Sequence, residues 1–230
     1  MLKLKICGLR RVKDIDIVNK YNIDYIGFVF AKSPRQVSFN QAKELSGLLK
    51  EDIIPVGVFV NEDLKFIVDL FKEGIIEIAQ LHGDEDEKYI QNLKSISYEI
   101  TGREIKVIKS IEIKNNDENN KKYDDNNQIN NDIDFNEKLL EWRDSVSDYF
   151  ILDSGKGSGN TFNWNLIDKD NEMLKKPFFL AGGLNSENIG LAIKEFNPYA
   201  VDLSSGVETE GFKDEEKIKQ IVEILEKYRK

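Results

Sequence analysis

The stretch FFLAGGLNSENIGLAIKEFNPYAVDL, from Phe178 to Leu203, decides the fold. It reads as strand, helix, strand. Phe178–Ala181 is a short apolar run that stops at Gly182-Gly183. Asn185 and Ser186 then offer side-chain oxygens that can cap a helix. Ile189, Ala192, Ile193 and Phe196 recur at spacings of three and four, so they share one face of that helix. Ala200–Leu203 is the next apolar run. Two strands joined through a helix make a parallel βαβ unit.

Outward from this unit the same rhythm fills the chain. Further strands are expected at Lys3–Cys7, Tyr25–Phe30, Ile54–Val60, Ile75–Leu81, Ile105–Ile111 and Tyr149–Asp153. Most are apolar almost throughout, as strands covered on both faces are. Leu64, Ile67, Val68 and Phe71 form a helical face between the third and fourth strands. The last helix starts acidic at Asp214-Glu215-Glu216, favourable at the positive end of a helix dipole, and carries Ile218, Ile221, Val222 and Leu225. The helix from Val12 to Asn22 is less regular. Eight such units predict an α/β fold, a single-domain (β/α)8 TIM barrel over residues 1–230. A doubly wound open sheet satisfies the same alternation, so periodicity alone leaves both. Residues 114–134, KNNDENNKKYDDNNQINNDID, break the rhythm. They lack an apolar face, so the expectation is a disordered low-complexity insertion after strand five. A flexible lid over the same end of the barrel is the other reading.

Bulk properties narrow the function. The formal charge is −9, with Lys and Arg interleaved among Asp and Glu, which speaks against nucleic acid as a partner. No run approaches the length needed to span a bilayer, and the start lacks a secretory core, so no membrane is expected and the location is read as cytoplasmic. One cysteine permits no internal disulfide. His82 is the only histidine, and neither a Ser/His/Asp ordering nor a GxGxxG fingerprint occurs. No metal or other cofactor is called for. Monomer and homodimer both fit.

Catalytic groups of parallel barrels sit at the C-terminal ends of strands and in the following loops. The polar residues there are Cys7, Arg35, Gln80, His82, Asp153 and Asp202, with Gly182-Gly183 and Ser204-Ser205-Gly206. Glycines after strand seven and serines after strand eight suit a phosphate, because backbone N–H groups can approach its oxygens. Cys7 read alone is either a small buried hydrophobe or a reactive group. Asp153 ends an apolar run, where a carboxylate needs a partner or a task. Arg35 reads equally as a solvated surface residue or an anion ligand.

Together these segments resemble the phosphoribosylanthranilate isomerase family. The similarity is carried by Lys5-Ile-Cys-Gly-Leu9, Tyr25-Ile-Gly-Phe-Val-Phe30, Ser33-Pro-Arg-Gln-Val-Ser38, Val56-Gly-Val-Phe-Val-Asn61 and Gln80-Leu-His-Gly83. It continues through Leu152-Asp-Ser154, Gly157-Ser-Gly159, Thr161-Phe-Asn-Trp164, Ala181-Gly-Gly-Leu-Asn185 and Val201-Asp-Leu-Ser-Ser-Gly-Val-Glu208. The resemblance implies an Amadori rearrangement of a small phosphorylated substrate, with Cys7 as general base and Asp153 as general acid. It implies that Arg35 and Asp202 contact the anthranilate end and the sugar, with Gln80 and His82 among the substrate contacts. Ala181 stands where the family commonly has Ser, and Asn160 where it often has Lys. Two rivals share parts of this pattern: another phosphate-binding barrel isomerase or synthase, and a non-catalytic barrel kept as a binding partner.

Overall fold

The computed structural model describes residues 1–112, 142, 144–153 and 176–229. Its strands are β1 (Lys3–Cys7), β2 (Tyr25–Val29), β3 (Ile54–Phe59), β4 (Ile78–Leu81), β5 (Lys106–Glu112), β6 (Tyr149–Asp153), β7 (Phe178–Leu180) and β8 (Ala200–Leu203). Each pairs in parallel with the next, and β8 returns to β1, from Lys3 opposite Ala200 to Ile6 opposite Leu203. That last pairing closes the barrel and removes the open-sheet alternative.

The described helices are α1 (Val12–Val18), α2 (Phe39–Ser46), α3 (Leu64–Lys72), α4 (Glu87–Thr101), α5 (Ile189–Phe196) and α6 (Glu215–Glu226). Aspartates cap three of them: Asp63 accepts from the N–H of Lys65, Asp86 from that of Tyr89, and Asp214 from those of Glu216 and Lys217. At α5 the expected cap moves. Asn185 forms a turn ahead of the helix, accepting from the N–H groups of Glu187 and Asn188, while Ser186 is exposed. Asn188 takes the cap position without capping, because its amide binds Gly183 O and the N–H of Asn185 instead. Strand β4 starts later than the apolar run suggests, since Ile75 and Ile76 are buried in the turn that leads into it. After β8 come a 3-10 turn (Ser205–Val207) and a hairpin of β9 (Glu208–Thr209) with β10 (Phe212–Lys213). Strands of two residues are too short to show a period.

Two-residue periodicity sorts the strand side chains. Leu4 and Ile6, Phe150 and Leu152, Val201 and Leu203 face the helices and join the large outer core. The inner set begins with an apolar layer of Tyr25, Val56, Ile78, Ile108, Ile151, Phe179 and Ala200. Tyr149 and Tyr199 stack at 5.4 Å beside it, and the Tyr25 and Tyr199 hydroxyls meet at 2.9 Å. One step further along the same inward faces come Cys7, Gln80, Ser110, Asp153 and Asp202. The barrel is thus plugged with hydrocarbon at one end and polar at the other.

Among the described residues no helix is long and apolar enough to cross a membrane. The Asn-rich segment 114–134 lies outside the described residues, as do the expectations placed on Ser154, Gly157–Gly159, Asn160 and Thr161–Trp164.

Candidate active site

Strand β1 places Lys5 and Cys7 two residues apart, hence on the same inward wall. Lys5 is fully buried and donates to Asp202 Oδ2 on β8 at 2.8 Å. Burial works against the ammonium, but Asp202 and the neighbouring Cys7 outweigh it, and the Lys5 pKa rises. For Cys7 the balance falls the other way. Burial pushes the thiol up, helped by Asp202, against the pull of Lys5 and Lys213. The free protein therefore holds Cys7 as a thiol within the influence of Lys5 and Lys213, and burial lowers the Lys213 pKa even with Glu208 beside it. Gly27 on β2 makes room for it, since a Cβ there would sit 2.6 Å from Sγ.

Arg35, in the loop after β2, does not project freely. Its Nε and Nη2 grip Glu208 Oε1 and Oε2 at 2.8 and 2.6 Å. Buried Lys213 donates to the same Glu208 Oε1 at 2.7 Å and to Ser204 O at 3.1 Å. Burial alone would raise the Glu208 pKa, yet Arg35 and Lys213 hold it at about 2, so this carboxylate stays charged. Gly8 has φ +86°, and a Cβ there would meet Arg35 Cδ at 2.5 Å, so only glycine lets the arginine lie across the end of β1. Arg10 ties the mouth together, donating to Pro34 O and to Gly211 O, and packs with Arg11 against the Phe212 ring.

On β4–β6, Gln80, His82, Ser110 and Asp153 form a second polar patch. Gln80 Nε2 lies 3.3 Å from His82 Nδ1. An amide nitrogen only donates, so Nδ1 accepts and the neutral ring carries its proton on Nε2. That Nε2 faces Asp153 Oδ2 at 3.6 Å and Ser110 Oγ at 3.5 Å. Two buried oxygens in the barrel, Gln80 Oε1 and Asp202 Oδ1, have no hydrogen-bond partner among the described residues. Both are acceptors, available to hydroxyl or amine donors of a ligand.

The loops after β7 and β8 meet closely. Gly182 and Gly183 adopt φ of +91° and +65°. Asn188 Nδ2 donates to Gly183 O at 3.0 Å and fixes the turn. Ser204 Oγ donates to the backbone carbonyl of Cys7 at 3.1 Å, so it ties this corner to the end of β1, while Ser205 is exposed. A Cβ on Gly206 would lie 1.9 Å from Leu184 O, so alanine there must push two backbones apart. Gly206→Ala should raise KM for a phosphorylated ligand about 10-fold or more, the effect of losing a charge-assisted hydrogen bond. Steady-state kinetics would check this, and an unchanged KM would detach the corner from phosphate binding.

The barrel brings every expected site residue to its polar end. Sequence reasoning missed Lys5, Lys213 and Glu208. The K-L-K-I-C alternation puts Lys5 on the face of Cys7 and could have revealed it. Nothing local marks Lys213, whose position depends on the hairpin. Among the described residues no group of three His, Cys, Asp or Glu side chains gathers as a metal site would require.

The pattern of the family described as N-(5'phosphoribosyl)anthranilate (PRA) isomerase matches residues 4–126 and 112–224. The N-(5'-phosphoribosyl)anthranilate isomerase of Clostridium acetobutylicum is 41% identical over 234 residues, covering 100% of both chains. The phosphoribosyl anthranilate isomerase structure from Thermotoga maritima aligns at TM-score 0.79 and 31% identity, covering 99% of this chain and 100% of that one. A structure of a phosphoribosyl anthranilate isomerase in complex with reduced 1-(o-carboxyphenylamino)-1-deoxyribulose 5-phosphate aligns at TM-score 0.77 and 30% identity, with the same coverage. The chain with a thiol between two lysines at the mouth of its barrel belongs to the N-(5'-phosphoribosyl)anthranilate isomerase family.

Proposed function

We propose that this chain converts N-(5′-phosphoribosyl)anthranilate to 1-(2-carboxyphenylamino)-1-deoxyribulose 5-phosphate, an Amadori rearrangement in tryptophan biosynthesis. The observation that carries the reading is the inward thiol of Cys7, flanked by Lys5 and Lys213, in the same barrel mouth as the inward carboxyl of Asp153. Asp153 is the general acid. It protonates the furanose ring oxygen as the C1′–O bond breaks and the amine lone pair forms C=N. Cys7 thiolate is the general base and removes the C2′ proton. The C–H pair becomes the C1′–C2′ double bond and the C=N pair returns to nitrogen, giving an enolamine. Loss of the 2′-hydroxyl proton and protonation at C1′ give the ketone. Each turnover leaves the proton on Cys7 and none on Asp153, and exchange with solvent resets the pair.

The working form inverts ordinary acidities, with reference values near 8.5 and 3.9 that differ by about 4.6 units, or roughly 6 kcal/mol. Burial of Cys7 adds to that gap in the free protein. Lys5, whose own pKa is raised, is the charge that chiefly offsets it, and it acts more strongly once substrate displaces water from the mouth. Burial lowers the Lys213 pKa and reduces that lysine's share. The substrate's phosphate and carboxylate favour a neutral Asp153. The loops at Gly182-Gly183 and Ser204-Ser205-Gly206 hold the phosphate, Arg35 the anthranilate carboxylate, and Asp202, Gln80 and His82 the sugar.

Fluorescence-monitored consumption of N-(5′-phosphoribosyl)anthranilate by the purified protein tests the reading, and absence of turnover rejects it. Arg35→Ala should raise KM about 10- to 100-fold, as loss of a charged hydrogen bond does, and change kcat little. An unchanged KM would reduce Arg35 to a strut for Glu208.

A further inference from the structure

Outside the barrel interior, a buried ion pair joins Lys109 on β5 to Glu85 in the loop after β4, at 3.0 Å. Lys109 lies on the outward face of β5 between Val107 and Ile111, so no substrate in the mouth reaches it. Such a pair is a poor source of stability, because desolvating both charges offsets their attraction. Its hydrogen bonds point to another use. Glu85 Oε2 accepts from the N–H of Gly83 at 2.9 Å, and Lys109 Nζ donates to Gly83 O at 2.7 Å. Both backbone groups of one glycine are thus held by one ion pair. Glu85 Oε1 also accepts from the N–H of Asn61 at 2.7 Å, and Asn61 Oδ1 accepts from that of Asp84 at 2.8 Å. The loops after β3 and β4 are stitched together around Gly83, whose missing Cβ would strike Asn61 Oδ1 at 2.6 Å.

The residue before Gly83 is His82. Its own N–H donates to Phe59 O at 2.8 Å, so the backbone on both sides of it is fixed. We infer that the Lys109–Glu85 pair is a positioning device for His82, presenting Nε2–H to Asp153 Oδ2. This rests on the reading of Asp153 as general acid. A donor facing Oδ2 at 3.6 Å orients the carboxyl and stabilises the carboxylate left behind by transfer. Displacing such a group by an ångström can cost about 10²-fold in rate. Glu85 and Lys109 touch no reacting atom, so their effect must pass through His82.

The test is a double-mutant cycle on the full chain. Glu85→Gln should lower kcat about 10-fold with KM within about 2-fold of wild type, since Gln turns a donor toward one of the N–H groups that Glu85 accepts. In a His82→Asn background the same change should alter kcat by less than about 2-fold, because the route to Asp153 is already cut. Effects that multiply in the double variant, or a raised KM with kcat intact, overturn the inference. If Glu85→Gln alone fails to fold, Glu85→Gln with Lys109→Met leaves no unpaired buried charge, and the same cycle is run on it. Asp153→Asn separates the two claims. An active Asp153→Asn enzyme rejects the acid assignment, whereas an inactive one together with multiplying Glu85 and His82 effects rejects only the positioning role.

Discussion

Cys7→Ala should leave a folded barrel whose kcat is about 10²- to 10⁴-fold lower, the range over which a positioned general base contributes. The substitution removes one sulfur from a buried wall and touches neither the phosphate loops nor Arg35. Affinity for a reduced product analogue should therefore stay within a few-fold, and a kcat within about a tenth of wild type would dismiss the base. A companion measurement uses the fact that Cys7 is the only thiol in the chain. Burial raises its pKa in the free protein, so iodoacetamide should label it slowly at neutral pH and speed up only above the usual thiol range. Lys5→Met deletes a cation that lowers this pKa and should shift the labelling profile to still higher pH. A shift the other way would mean that Lys5 does not act on the thiol.

Much of the fold was readable because parallel strands buried on both faces are continuous apolar runs. The bounds of β1, β6 and β8 follow the runs Lys3–Cys7, Tyr149–Asp153 and Ala200–Leu203. Closure was not readable, because the β1–β8 pairing joins residues from opposite ends of the chain. The site divides in the same way. Cys7, Asp153 and the loop glycines announce themselves by ending strands. Lys5 shows only that it shares the face of Cys7, because a lysine in a strand still reads as solvated at its tip unless its counterion is known. That counterion, Asp202, is 197 residues away. Lys213 and Arg35 likewise depend on Glu208, which a hairpin of two-residue strands brings between them. Local pattern reports which face a residue occupies. Only the closed barrel reports which charge stands opposite.

Asp153→Asn is the second large loss expected, again about 10²- to 10⁴-fold in kcat. Asparagine keeps the size and planarity of the side chain at the end of β6. Its amide can still donate a hydrogen bond to the ring oxygen but cannot give up a proton, so the substrate binds while the C1′–O bond stays closed. The signature is a fall in kcat and kcat/KM together, with KM and product-analogue affinity nearly unchanged, as when an interaction exists only in the transition state. Asp153 is a quarter exposed and asparagine keeps its size, so the replacement should cost little in Tm. His82→Asn should lower kcat by a smaller factor, because it loosens the carboxyl without removing its proton, and should raise KM as well through the lost sugar contact. Retention of more than about a tenth of wild-type kcat by Asp153→Asn would break the assignment, since so small a loss is below what a general acid supplies. The proton on the ring oxygen would then have to come from water or from another group at the mouth.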